Sequence, residues 1–380
     1  MIPLCVPNLC GNEGRYLQQC VETTFVSSVG PFVRRFEEEV ASACDSPGAV
    51  ATSSGTTALH LALVTVGVGP GDLVVLPSYT FIASANAISH CGATPWLFDI
   101  DPDSWTLSPA LLAERLAAET ERRGDDLVHK ASGRRVAAVM PVYTLGTPAD
   151  MDGIVQVSHD YGLPVVADAA AAIGATYKGR ALAAMGADLS ALSFNGNKTV
   201  TSGGGGAVIG TDAEVLSMVR HLSSTARVGS DYSHDRVGFN YRMTNLQAAV
   251  GCAQMENLAA FVGAKRQIRA TYDRELAGLA GVAPLPQPEW AHSSCWFSGV
   301  VLSEPAPPAE DVRQRLRTAG IEARPFWKPM HLQAPYAEAP RTDMAVCEAL
   351  WPRVLTLPCS TNLSASEQAF VIELLKDALG

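Results

Sequence analysis

Short, almost uninterrupted apolar runs alternate with segments of helical periodicity between about residues 48 and 210. The runs that we predict as strands are VVLP (74–77), AAVMPV (137–142), PVVAD (164–168), LSALSF (189–194) and GAVIGT (206–211). Near-continuous apolar strands separated by helices are typical of a mostly parallel sheet covered by helices on both faces. We therefore predict an α/β domain whose ligands bind beyond the carboxyl ends of the strands.

The second half of the chain has a different pattern. Apolar positions at helical spacing predict one long bridging helix over residues 244–279. After the proline-rich stretch PLPQPEW (284–290), the pattern is that of a smaller α+β unit. Because 380 residues exceed the usual size of a single core, we predict a large domain over 1–255 and a small domain over 256–380. The charge-rich segment 119–135 is typical of a solvated loop or face.

Charge and cysteine content narrow the classes of protein. Lys and Arg total 28 against 38 Asp and Glu, so the chain lacks the broad basic surface of a nucleic-acid-binding protein. We find no pattern of a membrane span or signal peptide, and we expect a cytoplasmic protein. Nine scattered cysteines without paired metal-ligand spacing indicate reduced, mostly buried thiols and no metal site.

Three features at predicted strand ends point to one site. The segment SSGTTAL (53–59) supplies amides and hydroxyls at a helix start, which suits either a phosphate or an ordinary helix cap. Asp168 ends the strand PVVAD, where a carboxylate serves as a helix cap or as the partner of a ligand's ring nitrogen. Lys198 follows a strand within SFNGNKTVTSGGGGAVI (193–209), a segment otherwise without charge.

The order of these residues excludes two common phosphate motifs. A P-loop places its lysine after the glycines, whereas Lys198 precedes Gly203 to Gly206, and no G-x-G-x-x-G opens a βαβ unit. A phosphate site, a carboxylate and a lysine are together what pyridoxal phosphate requires for its phosphate, its pyridine nitrogen and its aldehyde. We therefore predict a pyridoxal phosphate site that contains Asp168 and Lys198.

With these motifs, the sequence resembles the DegT/StrS-type sugar aminotransferases, a fold-type-I pyridoxal phosphate family. The resemblance covers nearly the whole chain, and its most specific segments are the one around the lysine and the FNYRM–Q segment. The spelling FNGNKTVTSGGGG resembles the branch that makes UDP-4-amino-4,6-dideoxy-N-acetylglucosamine. The other matching segments are VSSVGPFVRRFEEEVA, SGTTALHLAL, GDLVVLPSYTFIASANAI, CGATPWLFDID and GATYKGR.

The resemblance implies a role for each matching residue. Lys198 would form a Schiff base with the cofactor, Asp168 would contact the pyridine nitrogen, and Phe81 would stack on the ring. Asn240, in GFNYRM, would reach the cofactor phosphate of the neighbouring subunit, so the resemblance implies a homodimer. The implied cofactor-binding residues are Gly55, Thr56, Phe81, Asp168, Ser193, Lys198 and Asn240.

One position departs from the family pattern. Relatives usually carry Gln, Glu or His three residues after the aspartate, near the cofactor's phenolic oxygen, whereas this chain has Ala171. The acid that often precedes the aspartate is also absent, since position 167 is Ala. A lost hydrogen bond to the phenolic oxygen would change the pKa of the lysine–cofactor linkage, and it leaves the branch open.

Two loops supply candidate substrate residues. The segment RPFWKPMHLQ places Trp327, Lys328 and His331 in an aromatic and basic loop of the smaller domain, which relatives bring near the sugar nucleotide. Arg227 and His234 lie just before the FNYRM motif, where contact with the substrate and a solvated loop are equally compatible with the pattern.

The resemblance implies transfer of an amino group from an amino acid, L-glutamate in our prediction, to a 4-keto-6-deoxy nucleotide sugar for cell-surface polysaccharides. A sugar dehydratase of this fold is an alternative, but such relatives replace the lysine with histidine, and this chain has Lys198. A non-catalytic cofactor-binding sensor and an ordinary amino-acid aminotransferase are further alternatives. Conversion of the bound cofactor by glutamate would separate a transaminase from a sensor.

Overall fold

A computed structural model describes residues 1–380. The helices are α1 (Glu13–Glu22), α2 (Pro31–Cys44), α3 (Gly55–Thr65), α4 (Ile82–His90), α5 (Pro109–Glu119), α6 (Met151–Asp160), α7 (Ala213–Ser223), α8 (Asn245–Met255), α9 (Leu258–Glu275), α10 (Ala309–Thr318), α11 (Ala345–Leu350) and α12 (Ala365–Leu379). The strands are β1 (Ala49–Thr52), β2 (Leu73–Pro77), β3 (Thr94–Phe98), β4 (Thr120–Arg123), β5 (Asp126–His129), β6 (Val136–Val139), β7 (Val166–Asp168), β8 (Thr176–Tyr177), β9 (Leu189–Ser193), β10 (Gly206–Gly210), β11 (Arg227–Val228), β12 (Ser233–His234), β13 (Val282–Pro284), β14 (Ala291–His292), β15 (Ser298–Leu302), β16 (Arg324–Pro325) and β17 (Val354–Leu357).

Seven strands form the central sheet in the order β3-β2-β6-β7-β9-β10-β1. The pairs β3/β2, β2/β6 and β7/β9 are parallel, and parallel bridges from Val139 to Val165 and from Val142 to Asp168 join β6 to β7. Only β10 runs against its neighbours β9 and β1. The prediction of a mostly parallel sheet is therefore confirmed, with one antiparallel strand near its edge.

The strand directions bring the predicted site residues to one edge of the sheet. Asp168 ends β7 and Ser193 ends β9, and these parallel strands have their carboxyl ends on the same side. Because β10 is antiparallel to β9, it begins at that side, and Gly206 pairs with Ser193. The glycine run and the lysine turn therefore meet above the end of β9.

The alternation of side chains along the strands builds a core on each face of the sheet. On β2, Val74 and Leu76 pack into one buried apolar cluster, whereas Leu73 and Val75 pack into the other. Helices cover both faces, which leaves all four side chains without solvent exposure. No helix of the chain combines the length and the apolar content that a membrane crossing requires.

The C-terminal part contains a second, antiparallel sheet in the order β13-β15-β17-β16. The predicted single helix over 244–279 is wrong, because α8 ends at Met255 and α9 begins at Leu258. Glu256, between the two helices, accepts hydrogen bonds from Tyr16 and Arg35. These tertiary contacts interrupt the helix, although the apolar periodicity continues before and after this position. The boundary between domains at 255 and 256 remains a prediction.

The charge-rich segment 119–135 is an ordered hairpin of β4 and β5 rather than an irregular loop. Its charged residues on β4 are exposed, as predicted, while Leu127 and Val128 of β5 are buried. The hairpin lies apart from the cavity described next.

Candidate active site

A cavity of about 430 Å³ opens at the carboxyl edge of the central sheet, between the large sheet and the C-terminal part. Seven of the predicted site residues line it, and they come from segments far apart in the sequence. These residues are Gly55, Thr56, Phe81, Asp168, Ser193, Lys198 and Trp327. The edge of the sheet thus collects the three sequence features that suggested one site.

Asp168 is buried at the end of β7, and only uncharged groups donate to it. Its Oδ2 accepts a hydrogen bond from Ser84 Oγ at 2.6 Å, and its Oδ1 accepts one from the Ala170 amide at 3.1 Å. Burial raises the pKa of Asp168, and the two donors and the charge of Lys198 oppose this rise. A buried carboxylate without an ion pair is suited to a cationic ligand group such as a protonated ring nitrogen.

Lys198 lies in the turn after β9, with its ammonium group against an aromatic face. Its Nζ is 3.6 Å from the centroid of the Trp296 ring and makes no hydrogen bond or ion pair within the chain. Burial lowers the pKa of Lys198 to about 8, against the opposing effect of Asp168 and Cys5. The lowered pKa increases the neutral fraction of this lysine near neutral pH, and the neutral amine is the form that acts as a nucleophile or proton acceptor.

Trp296 is a site residue that the sequence reasoning missed. Its indole Nε1 donates to the Asn197 carbonyl at 2.7 Å, and its ring stacks on Phe297 at 4.1 Å between centroids. These contacts fix the indole over Lys198 Nζ. The tryptophan lies almost a hundred residues after the lysine, and no local spacing signal connects the two.

Aromatic residues form one wall of the cavity. Phe326 and Trp327 are stacked at 4.2 Å between centroids, and Phe81 lies 6.3 Å from Trp327 with more than half of its surface exposed. Arg324, which the sequence reasoning also missed, stands at the mouth and pairs with Glu322. This guanidinium and Lys198 are the two cationic side chains that line the cavity.

The start of α3 also lines the cavity and has the features of an anion site. Ser54 Oγ accepts from the Thr57 amide at 3.1 Å, and Thr57 Oγ1 accepts from the Ser54 amide at 3.0 Å. This capping box leaves the Gly55 and Thr56 amides without an acceptor in the chain. Free amides at the positive end of a helix dipole bind phosphate well.

Close packing around this helix start requires glycine. A Cβ on Gly55 would lie 2.8 Å from the Cβ of Ser193, and a Cβ on Gly206 would lie 2.4 Å from the Ser54 carbonyl oxygen. The free amides, the Asp168 carboxylate and the Lys198 amine all line one cavity, so the residues present fit pyridoxal phosphate. Ser54 and Thr57 make the helix cap and the next two amides remain free, so a cap and a phosphate site are compatible here, and the phosphate role remains a prediction.

The hairpin of β11 and β12 lies outside the cavity. Arg227 packs over the Tyr232 ring at 4.1 Å and donates to the Ser230 carbonyl, and His234 Nδ1 contacts the Thr225 carbonyl at 2.8 Å. Asn240 is exposed and does not line the cavity of its own chain. The roles predicted for Arg227, His234 and Asn240 remain predictions.

His331 is buried between two partners instead of lining the cavity. Its Nδ1 lies 2.8 Å from Ser78 Oγ and its Nε2 lies 2.9 Å from Glu348 Oε1, so both ring nitrogens are satisfied. Lys328 does not line the cavity either, whereas Trp327 does. His331 therefore ties the loop that carries Trp327 to the end of β2, which is a positioning contact.

Comparison with known proteins agrees with this geometry. The model of the DegT/DnrJ/EryC1/StrS aminotransferase family matches residues 8–376. The chain is 38% identical to a GDP-perosamine synthase of Caulobacter vibrioides, over 100% of this chain and 98% of the relative. It is 37% identical to the putative pyridoxal phosphate-dependent aminotransferase EpsN of Bacillus subtilis, over 98% of this chain and 95% of the relative.

A solved structure shows the same fold. DesV of S. venezuelae superposes with a TM-score of 0.86 at 31% identity, over 96% of this chain and 94% of that chain. The predicted fold class and the predicted pyridoxal phosphate dependence are confirmed. The chain therefore belongs to the DegT/DnrJ/EryC1/StrS aminotransferase family.

Proposed function

We propose that this aminotransferase transfers an amino group from L-glutamate to the keto group of a nucleotide-linked 4-keto-6-deoxy sugar. The observation that carries the proposal is the single cavity in which Lys198, Asp168 and the free amides of α3 meet. The relative named GDP-perosamine synthase, matched over the full chain, supports a sugar nucleotide as substrate. The keto position and the donor are our inference from the resemblance.

The chain's own residues divide the work in the cavity. Bound pyridoxal phosphate supplies an aldehyde for covalent attachment and a ring that accepts electrons. Asp168 would hold a proton on the ring nitrogen, because a cation opposite this buried carboxylate keeps it ionised. The Gly55 and Thr56 amides would bind the phosphate, and Ser193 lies beside them.

Lys198 is the residue that would move the proton. With a pKa near 8, its Nζ can accept a proton from the donor's Cα at neutral pH and return it on the other side of the reaction. Trp296 keeps the amine over its ring face. The presence of a lysine at this position also argues against the dehydratase alternative, in which histidine takes its place.

The aromatic wall and Arg324 suit the sugar, base and pyrophosphate groups of a nucleotide sugar. Phe81 and Trp327 offer flat apolar faces to a sugar or a base. Arg324 offers a guanidinium to an anion such as a pyrophosphate or a carboxylate. The Caulobacter relative is named for a GDP-linked sugar, whereas the segment FNGNKTVTSGGGG resembles the branch that uses a UDP-linked sugar. Both carriers therefore have to be tested.

We further propose a homodimer with a shared site, acting in the cytoplasm in the synthesis of cell-surface polysaccharide. Asn240 is exposed beside a hairpin that also exposes Val228 and Tyr232, and the segment before α2 exposes Phe25 and Val26. Apolar side chains exposed together suit a protein interface. Sedimentation of the holoenzyme would test the dimer, and a stable monomer with full activity would contradict the shared site.

The function is tested in two half-reactions. Addition of L-glutamate to the purified holoenzyme should convert the yellow pyridoxal form to the pyridoxamine form, and an unchanged spectrum would favour the sensor alternative. The pyridoxamine form is then offered 4-keto-6-deoxy sugars linked to GDP, UDP and dTDP. Return of the pyridoxal spectrum with one carrier identifies the acceptor, and no return with any of them would contradict the proposed substrate class.

A further inference from the structure

A second lysine lies behind the cavity, in surroundings that the proposed reaction does not use. Lys265, on α9, is only 1% exposed, and no carboxylate lies within ion-pair distance of it. Its Nζ donates to the carbonyls of Cys359 at 2.7 Å and Trp296 at 3.0 Å, and it contacts Cys5 Sγ at 3.3 Å. Cys359 Sγ is 3.7 Å from the same nitrogen.

A buried ammonium needs a counter-charge, and the two thiols are the only neighbours that can supply one. Two carbonyls satisfy hydrogen bonds but leave the charge uncompensated, which is costly in the interior. Cys5 is the better placed thiol, because it is half-buried and therefore open to protons and small reagents, whereas Cys359 is fully buried. The arrangement favours an ionised Cys5 beside a charged Lys265.

The pKa values point the same way. A hydrogen bond from Cys359, together with the charges of Lys265 and Lys198, lowers the pKa of Cys5 to about 6 despite its burial. Burial raises the pKa of Cys359 well above its usual value. These opposite directions favour Cys5 as the thiolate of the pair and Cys359 as the protonated thiol. A thiolate, not a thiol, attacks peroxides and soft electrophiles.

The two cysteines are also close enough to react with each other. The Cys359 amide donates to the Leu4 carbonyl at 2.8 Å, so the two segments are direct neighbours. Their sulfur atoms lie 3.3 Å and 3.7 Å from the same ammonium nitrogen, so both side chains reach one point. Neighbouring backbones with converging side chains are what a disulfide requires.

This thiol pair contacts the turn after β9 that carries Asn197 and Lys198. In its protonated form, Cys5 donates to the Asn197 carbonyl at 3.3 Å, and that carbonyl also accepts the Trp296 indole N–H. Asn197 directly precedes Lys198, and Leu4 next to Cys5 lines the cavity. Oxidation of the Cys5 sulfur would therefore remove a contact to the turn that carries Lys198 and change the position of that turn.

We propose that Cys5 and Cys359 form a peroxide-sensitive thiol pair, activated by Lys265, whose oxidation to a disulfide lowers activity through the turn that carries Lys198. The Cys5 thiolate attacks a hydroperoxide, the O–O bond breaks, and Cys5 becomes a sulfenic acid while the leaving oxygen takes a proton. Cys359 sulfur then attacks that sulfenic sulfur, the S–O bond breaks, and the thiol proton leaves with the hydroxyl as water. Two thiols are oxidised to one disulfide, and one hydroperoxide is reduced.

The first experiment measures thiol reactivity in the holoenzyme without any substrate. Iodoacetamide at pH 6.5 is followed by peptide mass spectrometry, and Cys10, which is exposed, serves as the internal control. We expect Cys5 to be alkylated about tenfold faster than Cys10 despite its smaller exposure, because its thiolate fraction is larger. Faster alkylation of Cys10, or a Cys5 rate that still rises steeply above pH 8, would overturn the proposal.

The second experiment follows oxidation by hydrogen peroxide. We expect a Cys5–Cys359 cross-linked peptide, two hydrogens lighter than the sum of its parts, and a dithiothreitol-reversible loss of most of the glutamate half-reaction rate. The variants Cys5→Ser and Cys359→Ser should not form the cross-link, while Cys10→Ser should behave as the wild type. Absence of the cross-link would reject the pair, and a cross-link that leaves the rate unchanged would reject its proposed effect on activity. The loss of activity rests on the proposed aminotransferase function, whereas alkylation and the cross-link are measured independently of it.

Lys265→Met tests the activation step. The variant should alkylate at Cys5 several-fold more slowly at pH 6.5, with no change at Cys10. Should that variant fail to fold, the pH profile of wild-type Cys5 alkylation still tests the lowered pKa of Cys5, with an expected midpoint near 6. A midpoint at the ordinary thiol value near 8.5 would contradict the role of Lys265.

Discussion

Two lysines contact the same tryptophan, Lys198 at its ring and Lys265 at its backbone carbonyl, and their surroundings give them opposite chemistry. Lys198 Nζ lies over the ring of Trp296 with no acceptor, and burial lowers its pKa to about 8. Burial also lowers the pKa of Lys265, but the neighbouring Cys359 and Cys5 sulfurs outweigh it, so that its pKa is raised overall. Burial alone thus does not decide whether a lysine is a proton carrier or a fixed cation. The acceptors around the nitrogen decide it.

The largest expected effect separates the two lysines by activity. Lys198→Ala should lower turnover by about 10³- to 10⁴-fold, because it removes the amine that carries the proton. Lys265→Met, where it folds, should keep turnover within about tenfold of the wild type, since this nitrogen faces thiols and carbonyls outside the cavity. Steady-state kinetics of both variants measures this difference in turnover, and equal losses would contradict the different roles given to the two lysines.

The second-largest effect is expected at Asp168, which lines the same cavity as Lys198. Asp168→Asn should lower turnover by about 10²- to 10³-fold, because an amide cannot hold a charged ring nitrogen as a carboxylate does. The fold should tolerate the change, since the asparagine oxygen can still accept from the Ala170 amide and the Ser84 hydroxyl can accept from the new NH2 group. Single-turnover spectra with glutamate would measure the step, and a wild-type rate in this variant would remove Asp168 from the site.

A substitution at Ser84 tests the role of Asp168 through the pH dependence of the rate. The Ser84 hydrogen bond lowers the pKa of Asp168, so Ser84→Ala should raise that pKa and shift the acidic limb of the rate–pH profile to higher pH. A lost hydrogen bond to a charged group costs about 1.5–3 kcal/mol, which predicts roughly a tenfold loss at pH 6 and less at pH 8. Ser84→Thr keeps the hydroxyl and is the matched control. An equal loss at both pH values would contradict this mechanism.

The aromatic face over Lys198 should have a smaller effect. Trp296→Leu removes a cation–π contact of about 0.5–2 kcal/mol and loosens the amine, which predicts roughly a three- to thirtyfold lower kcat. Trp296→Phe keeps a ring face and should recover part of the loss. If leucine and phenylalanine behave alike in kcat, the ring face has no role in holding the amine.

The smallest effect is on stability, and its sign differs between the lysines. In the cofactor-free protein, the folded state binds Lys198's proton less tightly than the unfolded chain, so this residue makes stability rise between about pH 8 and 10.5, by at most about 3 kcal/mol. The raised pKa of Lys265 gives stability that is present below its ordinary pKa and is lost as pH rises beyond it.

Urea unfolding at pH 7 and pH 9.5 measures this difference. Lys198→Met should be more stable than the wild type at pH 7, because a buried charge with no acceptor is removed, and the gain should shrink at pH 9.5. Lys265→Met should be less stable at both pH values, since it leaves two buried carbonyls without their donor. A destabilised Lys198→Met at pH 7 would contradict the interpretation of its pKa.

Much of the fold could be predicted because its signals are local. The apolar runs PVVAD (164–168) and LSALSF (189–194) predicted two strands and their common edge, since parallel strands place their carboxyl ends together. The helix over 244–279 was wrong, because Glu256 is held by Tyr16 and Arg35, residues that no local pattern connects to it. His331 was predicted to line the substrate pocket, but it does not line the cavity. Its hydrogen bonds with Ser78 and Glu348 depend on how the two parts of the chain dock, which no local pattern reveals.

The sequence by itself determined the type of chemistry. A lysine before a glycine run, an aspartate at a strand end and a small-residue helix start are local features, and they sufficed for a pyridoxal phosphate site of this family. Only the tertiary structure decided the state of each lysine. Trp296, Cys5 and Cys359 come from distant segments, and the pKa of a buried amine depends on which of them its nitrogen meets.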